Sequence, residues 1–110
     1  MPATVNNPQI QIISPLASLN ASNASEFEQE LTTVLTQHTN TITNTILLVN
    51  LEQVESIDSE GLMVLVAGLK RAQQLGHRLV LGKVSPAVRI TLEVTQLDRV
   101  FEIFTGNIET

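Results

Sequence analysis

The chain of 110 residues is long enough for one domain with its own core and too short for two. Six basic and eleven acidic residues give a formal net charge of −5, and the basic residues follow no single predicted face, so nucleic acid is not an expected partner. The lack of cysteine excludes thiol catalysis and thiolate metal sites. No apolar stretch has the length of a membrane span and no signal-peptide pattern occurs, which predicts a soluble cytoplasmic protein without a membrane partner.

The N-terminal part of the chain predicts an arm followed by two short strands. Residues 1–8 hold two prolines and two asparagines, so we expect a flexible arm there and a single domain over residues 9–110. Alternation of polar and apolar residues predicts a strand at 9–13. Residues 16–19 predict a second short strand before an asparagine- and serine-rich stretch.

A helix and a loop are predicted next. Asn23 stands three positions before Glu26, a pattern close to a capping box, and apolar residues then recur at helical spacing. We therefore expect the first helix over residues 24–38. The threonine-rich residues 37–45 contain too few apolar side chains for an element and predict a loop.

The second half of the chain alternates strands with helices. Residues 46–51 are apolar almost throughout, which is typical of a strand covered on both faces and predicts the central strand. A helix is expected over residues 60–75, ended by Gly76. The remaining elements are a strand at 78–81, a helix from Pro86 to Val94 with Ser85 as its N-cap, and a last strand at 100–104. The fold class is therefore α/β, with a mixed, mostly parallel central sheet of about four to five strands covered by helices.

The two histidines, His38 and His77, both fall near predicted helix ends. Cations suit the C-terminal end of a helix dipole, so we interpret both as solvated residues and not as metal ligands. No metal or other cofactor is expected.

The segment Asp58-Ser59-Glu60-Gly61 stands directly before the second helix and has more polar groups than a helix start needs. One interpretation is structural: Asp58 or Ser59 caps the helix, Glu60 suits its dipole and Gly61 packs against a strand. The other is functional: Gly61 leaves the Ser59 hydroxyl open to another molecule, and a larger residue would cover it. Spacing alone does not decide between them.

Five successive apolar residues, 62–66, exceed what one face of the second helix needs. Met63 and Val64 are left over, and we expect at least one of them to be buried. The alternative is that they form an exposed apolar patch beside the serine, where a flexible methionine suits a partner surface. Catalysis is not expected, because no base, P-loop or dinucleotide motif accompanies Ser59.

Most of the chain resembles the STAS domain, the family of bacterial anti-sigma factor antagonists. The segment "ILLVNLEQVESIDSEGLMVLVAGLKRAQQLG" (46–76) is similar to the family's central strand, D-S-[ST]-G-L motif and following helix. The segment "LVLGKVSPAVRITLEVTQLDRVFEIF" (79–104) is similar to its closing part, and "LNASNASEF" (19–27) to its L-D-x-x-x-A-x-x-L stretch.

The resemblance implies a phosphorylation switch. In the family, the motif serine, here Ser59, is phosphorylated by an anti-sigma factor that is also a serine kinase, and a serine phosphatase reverses the reaction. The unphosphorylated protein binds the kinase and frees the sigma factor. The implied docking surface consists of Asn20, Asp58, Ser59, Glu60, Gly61 and Met63.

Three residues depart from the family pattern. Glu60 stands where a second serine or threonine is usual, and Asn20 and Asn50 replace two aspartates. Glu60 adds a permanent charge beside Ser59 that imitates part of a phosphate. The alternative hypothesis is a STAS-like interaction subunit of a lipid or anion transport assembly that works without a switch.

Overall fold

The structure is a computed structural model that describes residues 10–15, 17–37 and 46–106. The arm predicted at 1–8 and most of the predicted loop at 37–45 lie outside these residues, as does His38. In chain order the elements are β1 (Ile10–Ile13), β2 (Ala17–Leu19), α1 (Ala24–Gln37), β3 (Ile46–Asn50), β4 (Val54–Ile57), α2 (Ser59–Gln74), β5 (Arg78–Gly82), α3 (Pro86–Val94), a short 3₁₀ helix (Leu97–Arg99) and β6 (Glu102–Phe104).

The central sheet has four strands in the order β1-β3-β5-β6, and every ladder in it is parallel. The predicted mostly parallel sheet under helices is confirmed. Residues 46–51 do supply the central strand, because β3 lies between β1 and β5 and its Leu47 and Val49 are completely buried.

One face of this sheet carries the core. Ile13, Val49 and Leu81 lie side by side in neighbouring strands and pack with buried residues of all three helices. Each fully buried aliphatic side chain of this kind contributes about 1.5–3 kcal/mol relative to an exposed one. The core therefore joins this face to the helices, with α2 against β5, α1 against α2, and α3 against β4 and the 3₁₀ helix.

The sequence analysis missed β4. Its two apolar residues, Val54 and Ile57, are three positions apart and enclose exposed Glu55 and Ser56, so the alternation that marks a strand is absent. β4 pairs in parallel with β2 in a separate sheet of two strands. This small sheet leads directly into α2.

The helix ends follow the predicted chemistry. Ser85 caps α3 by accepting a hydrogen bond from the Val88 amide, and Pro86 occupies the first turn. At the end of α2, Gly76 has a φ of 79°, which glycine adopts without a Cβ penalty. The Gly76 amide donates to the carbonyl of Gln73 and the His77 amide to that of Ala72, which is a Schellman motif.

The prediction that His77 is solvated is wrong. Its side chain is only 4% exposed, and neither ring nitrogen has a hydrogen-bond partner among the described residues. The reason is the Schellman motif, because the residue in this position folds back against the helix and usually makes an apolar contact there.

The last strand is shorter than predicted. Gln96 has a positive φ of 62° and leads into the 3₁₀ helix, so Val100 lies in a turn and β6 begins only at Glu102. Across the described part of the chain, no helix has the length and apolar content to cross a membrane.

Candidate functional site

The carboxyl ends of β2 and β4 bring two loops together. Leu19 is the register partner of Ile57, and the Asp58 amide donates to the Leu19 carbonyl at 3.0 Å. Asn20 follows β2 and Asp58 follows β4, so both lie at one edge of the small sheet. Residues 38 positions apart along the chain, such as Ser18 and Ser56, thereby become neighbours.

Asp58 is the cap of α2. Its backbone is extended, its Oδ1 accepts from the Gly61 amide at 3.1 Å, and its carbonyl accepts from the Leu62 amide at 2.9 Å. A cap of this type stabilises a helix by about 1 kcal/mol. Because Asp58 performs this task, the hydroxyl of Ser59 is not needed for it.

Ser59 is the first residue of α2 and is exposed, as are its neighbours Asp58 and Glu60. The positive end of the helix dipole lies here, together with amide groups that have no partner within the helix. A negative group added to Ser59 would therefore meet a favourable backbone on one side and two carboxylates on the other.

Gly61 is buried and does not itself present a surface. A Cβ at this position would lie 2.7 Å from the carbonyl oxygen of Leu19 and 2.8 Å from its Cβ, both closer than real contacts allow. The glycine therefore lets α2 approach β2, which agrees with the interpretation that Gly61 packs against a strand. It serves the site by bringing Ser59 close to the Asn20 loop.

Asn20 and Asn50, which depart from the family pattern, have the same local role. Asn20 Oδ1 accepts from the Ser22 amide at 2.9 Å, and Asn50 Oδ1 accepts from the Glu52 amide at 3.0 Å. Both are Asx turns, in which a carboxylate oxygen would serve equally well. The exchange of acid for amide therefore preserves the loops and removes only their charge.

Asn23 also shapes the Asn20 loop. Its Oδ1 accepts from the Asn20 amide at 2.9 Å and its Nδ2 donates to the Ser18 carbonyl at 2.5 Å. The side chain of Asn23, the first residue of the capping-box pattern, thus joins the end of β2 to the start of α1.

An apolar groove runs along α2 from Ser59. Its volume is about 450 Å³, and it lies between α2 and the 3₁₀ helix. Ser59 stands at one end and Lys70 at the other, and their backbones are about 16 Å apart along the axis of α2 at the rise of an α-helix. The groove is lined by Ser59, Leu62, Met63, Val66, Ala67, Lys70 and Leu97.

The prediction that at least one of Met63 and Val64 is buried is confirmed, since Val64 is buried, whereas Met63 is 65% exposed. Met63 lies one helical turn after Ser59, on the same side of α2. Sequence reasoning missed Leu97 and Lys70, although Ser59, Met63, Val66 and Lys70 follow one another at the helical spacing of three or four.

The exposed Ser59 hydroxyl lies beside an apolar groove, and His77 lies at the opposite end of α2. Within the described ranges, no three His, Asp or Glu side chains are placed to hold a metal ion. A small hydroxyl group next to apolar surface suits contact with another protein.

The chain belongs to the STAS domain family, because the family model matches residues 1–107. A relative from Thermotoga neapolitana, named as an anti-sigma factor antagonist homologue, is 37% identical over 95 residues, which are 86% of this chain and 80% of the relative.

Solved structures share the fold. The crystal structure of a protein from Thermotoga maritima described as an anti-sigma factor antagonist has a TM-score of 0.76 and 29% identity, over 88% of this chain and 80% of that one. A sulfate transporter family protein from Wolinella succinogenes has a TM-score of 0.67 and 18% identity, over 93% and 84%. The second likeness shows that the fold also occurs outside the antagonists.

Proposed function

We propose that the protein is an anti-sigma factor antagonist that binds an anti-sigma serine kinase while Ser59 is unmodified and is released when Ser59 is phosphorylated. A serine phosphatase would restore the binding form. The observation that carries the proposal is the exposed hydroxyl of Ser59 at the start of α2, beside the apolar groove and free of the capping role that Asp58 performs.

The unmodified surface suits docking. Met63 and the groove offer apolar area, and Lys70 at the far end offers a cation for an acidic group of the partner. Flexible methionine side chains adapt well to a partner surface. The loop of Asn20 borders the same edge of the small sheet, so it belongs to the proposed surface. Gly61 contributes indirectly, through the approach of α2 to β2.

Phosphorylation would change binding without unfolding the domain. A phosphate carries roughly −1.5 to −2 charges at neutral pH, and the N-terminus of a helix stabilises such charge. On the docking surface the same charge joins Asp58 and Glu60, and an interface built for a neutral hydroxyl must then desolvate it. The free energy of binding then becomes less favourable by several kcal/mol, which is on the order of the cost of burying an unpaired charge. New cations supplied by the partner would offset this cost.

Glu60 limits the affinity of the unphosphorylated protein for its partner. Its carboxylate is exposed and directly follows Ser59, so it places part of the repulsive charge there permanently. Replacing Glu60 with serine should strengthen partner binding by a few tenths of a kcal/mol, the scale of a screened surface charge.

The test is recovery of the tagged chain with its partner from the native cell, followed by mass spectrometry. The proposal expects a serine kinase among the bound proteins and one phosphate, on Ser59. Ser56 is the internal control, because its hydroxyl is hydrogen-bonded to that of Ser18 at 2.8 Å. Label on Ser56 with Ser59 unmodified would contradict the assignment.

Variants of Ser59 test the switch itself. Ser59→Ala should retain partner binding, and Ser59→Asp should lose most of it at an unchanged melting temperature. If both variants bind the partner equally well, the switch is absent, and an interaction subunit of a transport assembly becomes the better interpretation.

A further inference from the structure

The groove beside Ser59 has helical walls. Six of its seven lining residues belong to α2, and the seventh, Leu97, belongs to the 3₁₀ helix, so no strand is among the described residues that line it. Leu62 is buried at the base of the groove. Val66 and Leu97 are half-buried, and Met63 is exposed. The groove therefore offers apolar side chains that another segment can cover, and it offers no strand backbone to pair with.

These walls do not suit three common modes of peptide recognition. An extended peptide that adds to a sheet needs an open strand edge. A polyproline segment needs a groove lined by aromatic rings, and a phosphorylated or acidic motif needs a cluster of arginines. Among the described residues, the lining of the groove contains neither an aromatic ring nor an arginine. The groove suits instead an amphipathic helix, which binds by laying its apolar face into such a depression.

The length of the groove fits about three turns of a helix. Ser59, Met63, Val66 and Lys70 lie along one side of α2 at helical spacing, over a rise of about 16 Å. A helix packed alongside presents roughly four side chains over the same rise, again at spacings of three or four. The two middle ones meet Met63 and Val66, and the outer ones meet Ser59 and Lys70.

The two ends of the groove differ in charge. At one end, the exposed ammonium group of Lys70 forms no ion pair with any described residue. At the other end, the uncharged Ser59 hydroxyl lies between the exposed residues Asp58 and Glu60. A partner segment is therefore complementary when it carries a carboxylate at the Lys70 end and an uncharged residue at the Ser59 end.

We propose that the groove binds an amphipathic helix of the partner, about three turns long, with its apolar face on Met63 and Val66 and a carboxylate against Lys70. The inference rests on the proposed function, because it specifies which kind of element of the anti-sigma kinase docks here. The small uncharged residue of this helix lies against the Ser59 hydroxyl. A phosphate on Ser59 would take the place of that residue, so one modification at the end of the groove keeps the whole helix out.

The experiment titrates the full chain, labelled with nitrogen-15, with synthetic peptides and follows its amide resonances by NMR. The glutamate peptide has about 14 residues and a lactam bridge on its polar face that holds it helical. Its other face carries alanine, two leucines and a terminal glutamate at helical spacing. The lysine peptide has lysine in place of that glutamate, and a scrambled peptide spreads the leucines around the helix. The glutamate peptide should shift the amides of Met63, Val66 and Leu97 in a saturable way, with a Kd on the order of 0.1–1 mM.

Three variants test the contacts. Met63→Glu should abolish saturable binding. Lys70→Glu should weaken binding of the glutamate peptide about threefold to tenfold and strengthen binding of the lysine peptide, because the two charges are then opposite again. Arg71→Glu is the matched control, since Arg71 is an exposed cation on the same helix that does not line this groove. It should change neither affinity more than about twofold at a salt concentration of 0.15 M, where distant charges are screened. Circular dichroism checks that each variant is folded.

A wild type that shows no saturable shifts with the glutamate peptide overturns the proposal. Equal affinity for the scrambled peptide overturns the apolar helix face as the feature that binds. Equal effects of Lys70→Glu and Arg71→Glu overturn the contact with Lys70. The proposed function fails by a different result, namely a tagged chain that recovers no serine kinase from the native cell. The peptide titration contains no kinase and no phosphate, so the two failures are distinguishable.

Discussion

The carbonyl of Leu19 lies against the backbone of Gly61, with room for a hydrogen atom and not for a methyl group. The same carbonyl accepts the hydrogen bond from the Asp58 amide. One backbone group of β2 therefore sets both the position of the α2 cap and the distance of α2 from the small sheet. The placement of Ser59 depends on this contact.

Gly61→Ala should destabilise the domain by about 1–3 kcal/mol, because the new methyl group meets a strand backbone that cannot move aside. Gly68→Ala, in the same helix, is the matched control. There the Cβ meets Leu31 Cδ1 at 3.0 Å, a movable side-chain end, and the helix gains up to about 1 kcal/mol in propensity. Urea unfolding measures both variants, and a Gly68→Ala loss as large as that of Gly61→Ala would contradict the packing role.

Asp58→Ala should cost about 1 kcal/mol in stability, because the Gly61 amide loses its acceptor. Asp58→Asn keeps an oxygen in that place and should cost at most a few tenths of a kcal/mol, although it removes the charge. Thermal unfolding of the two variants separates the cap from the charge. Equal losses in both would show that the carboxylate acts by its charge alone.

Met63→Glu should weaken partner binding at least tenfold while changing stability by less than about 0.5 kcal/mol, because the side chain is on the surface. Ile90→Glu is the control. Ile90 is 60% exposed, nearly as much as Met63, but it lies on α3 and does not line the groove. Calorimetric titration with the kinase that the native cell supplies measures both. A similar loss for Ile90→Glu would move the docking surface from the groove to α3.

His77→Leu should stabilise the domain by about 1 kcal/mol, because it removes two buried nitrogens without hydrogen-bond partners in the described structure and keeps the apolar contact of the Schellman motif. His77→Ala should destabilise it instead, since the space of the ring is left empty. Urea unfolding decides. A destabilising His77→Leu would indicate that the imidazole has a bonding partner such as a buried water.

Most of the elements follow from local signals in the sequence. Gly76 and the Ser85-Pro86 pair marked helix ends, and residues 46–51 marked the central strand, because caps and buried strands depend on neighbours in the chain. β4 has no such local signal, because it is formed by pairing with β2, whose residues are distant from it along the chain. His77 was misplaced because its burial results from the turn geometry at the end of α2 and not from its polarity.

The candidate site was only partly predictable. The motif around Ser59 and the exposed Met63 could be found from residue types and spacing. Leu97 could not, because the 3₁₀ helix carries it to the groove through the positive φ of Gln96, a conformation that sequence patterns rarely indicate.

The proposed docking surface depends on the pairing of β2 with β4. Ser18 is synthesised 38 residues before Ser56, and the chain must close that long loop before the pair of strands exists. A chain in which this loop is still open already contains Asp58, Ser59 and Met63. Its α2 has no paired β2 and β4 to pack against, so these residues are not yet held in place. Under the proposed function, a newly made or partly unfolded copy would carry the motif without the docking surface, so it would neither compete for the partner nor consume its ATP.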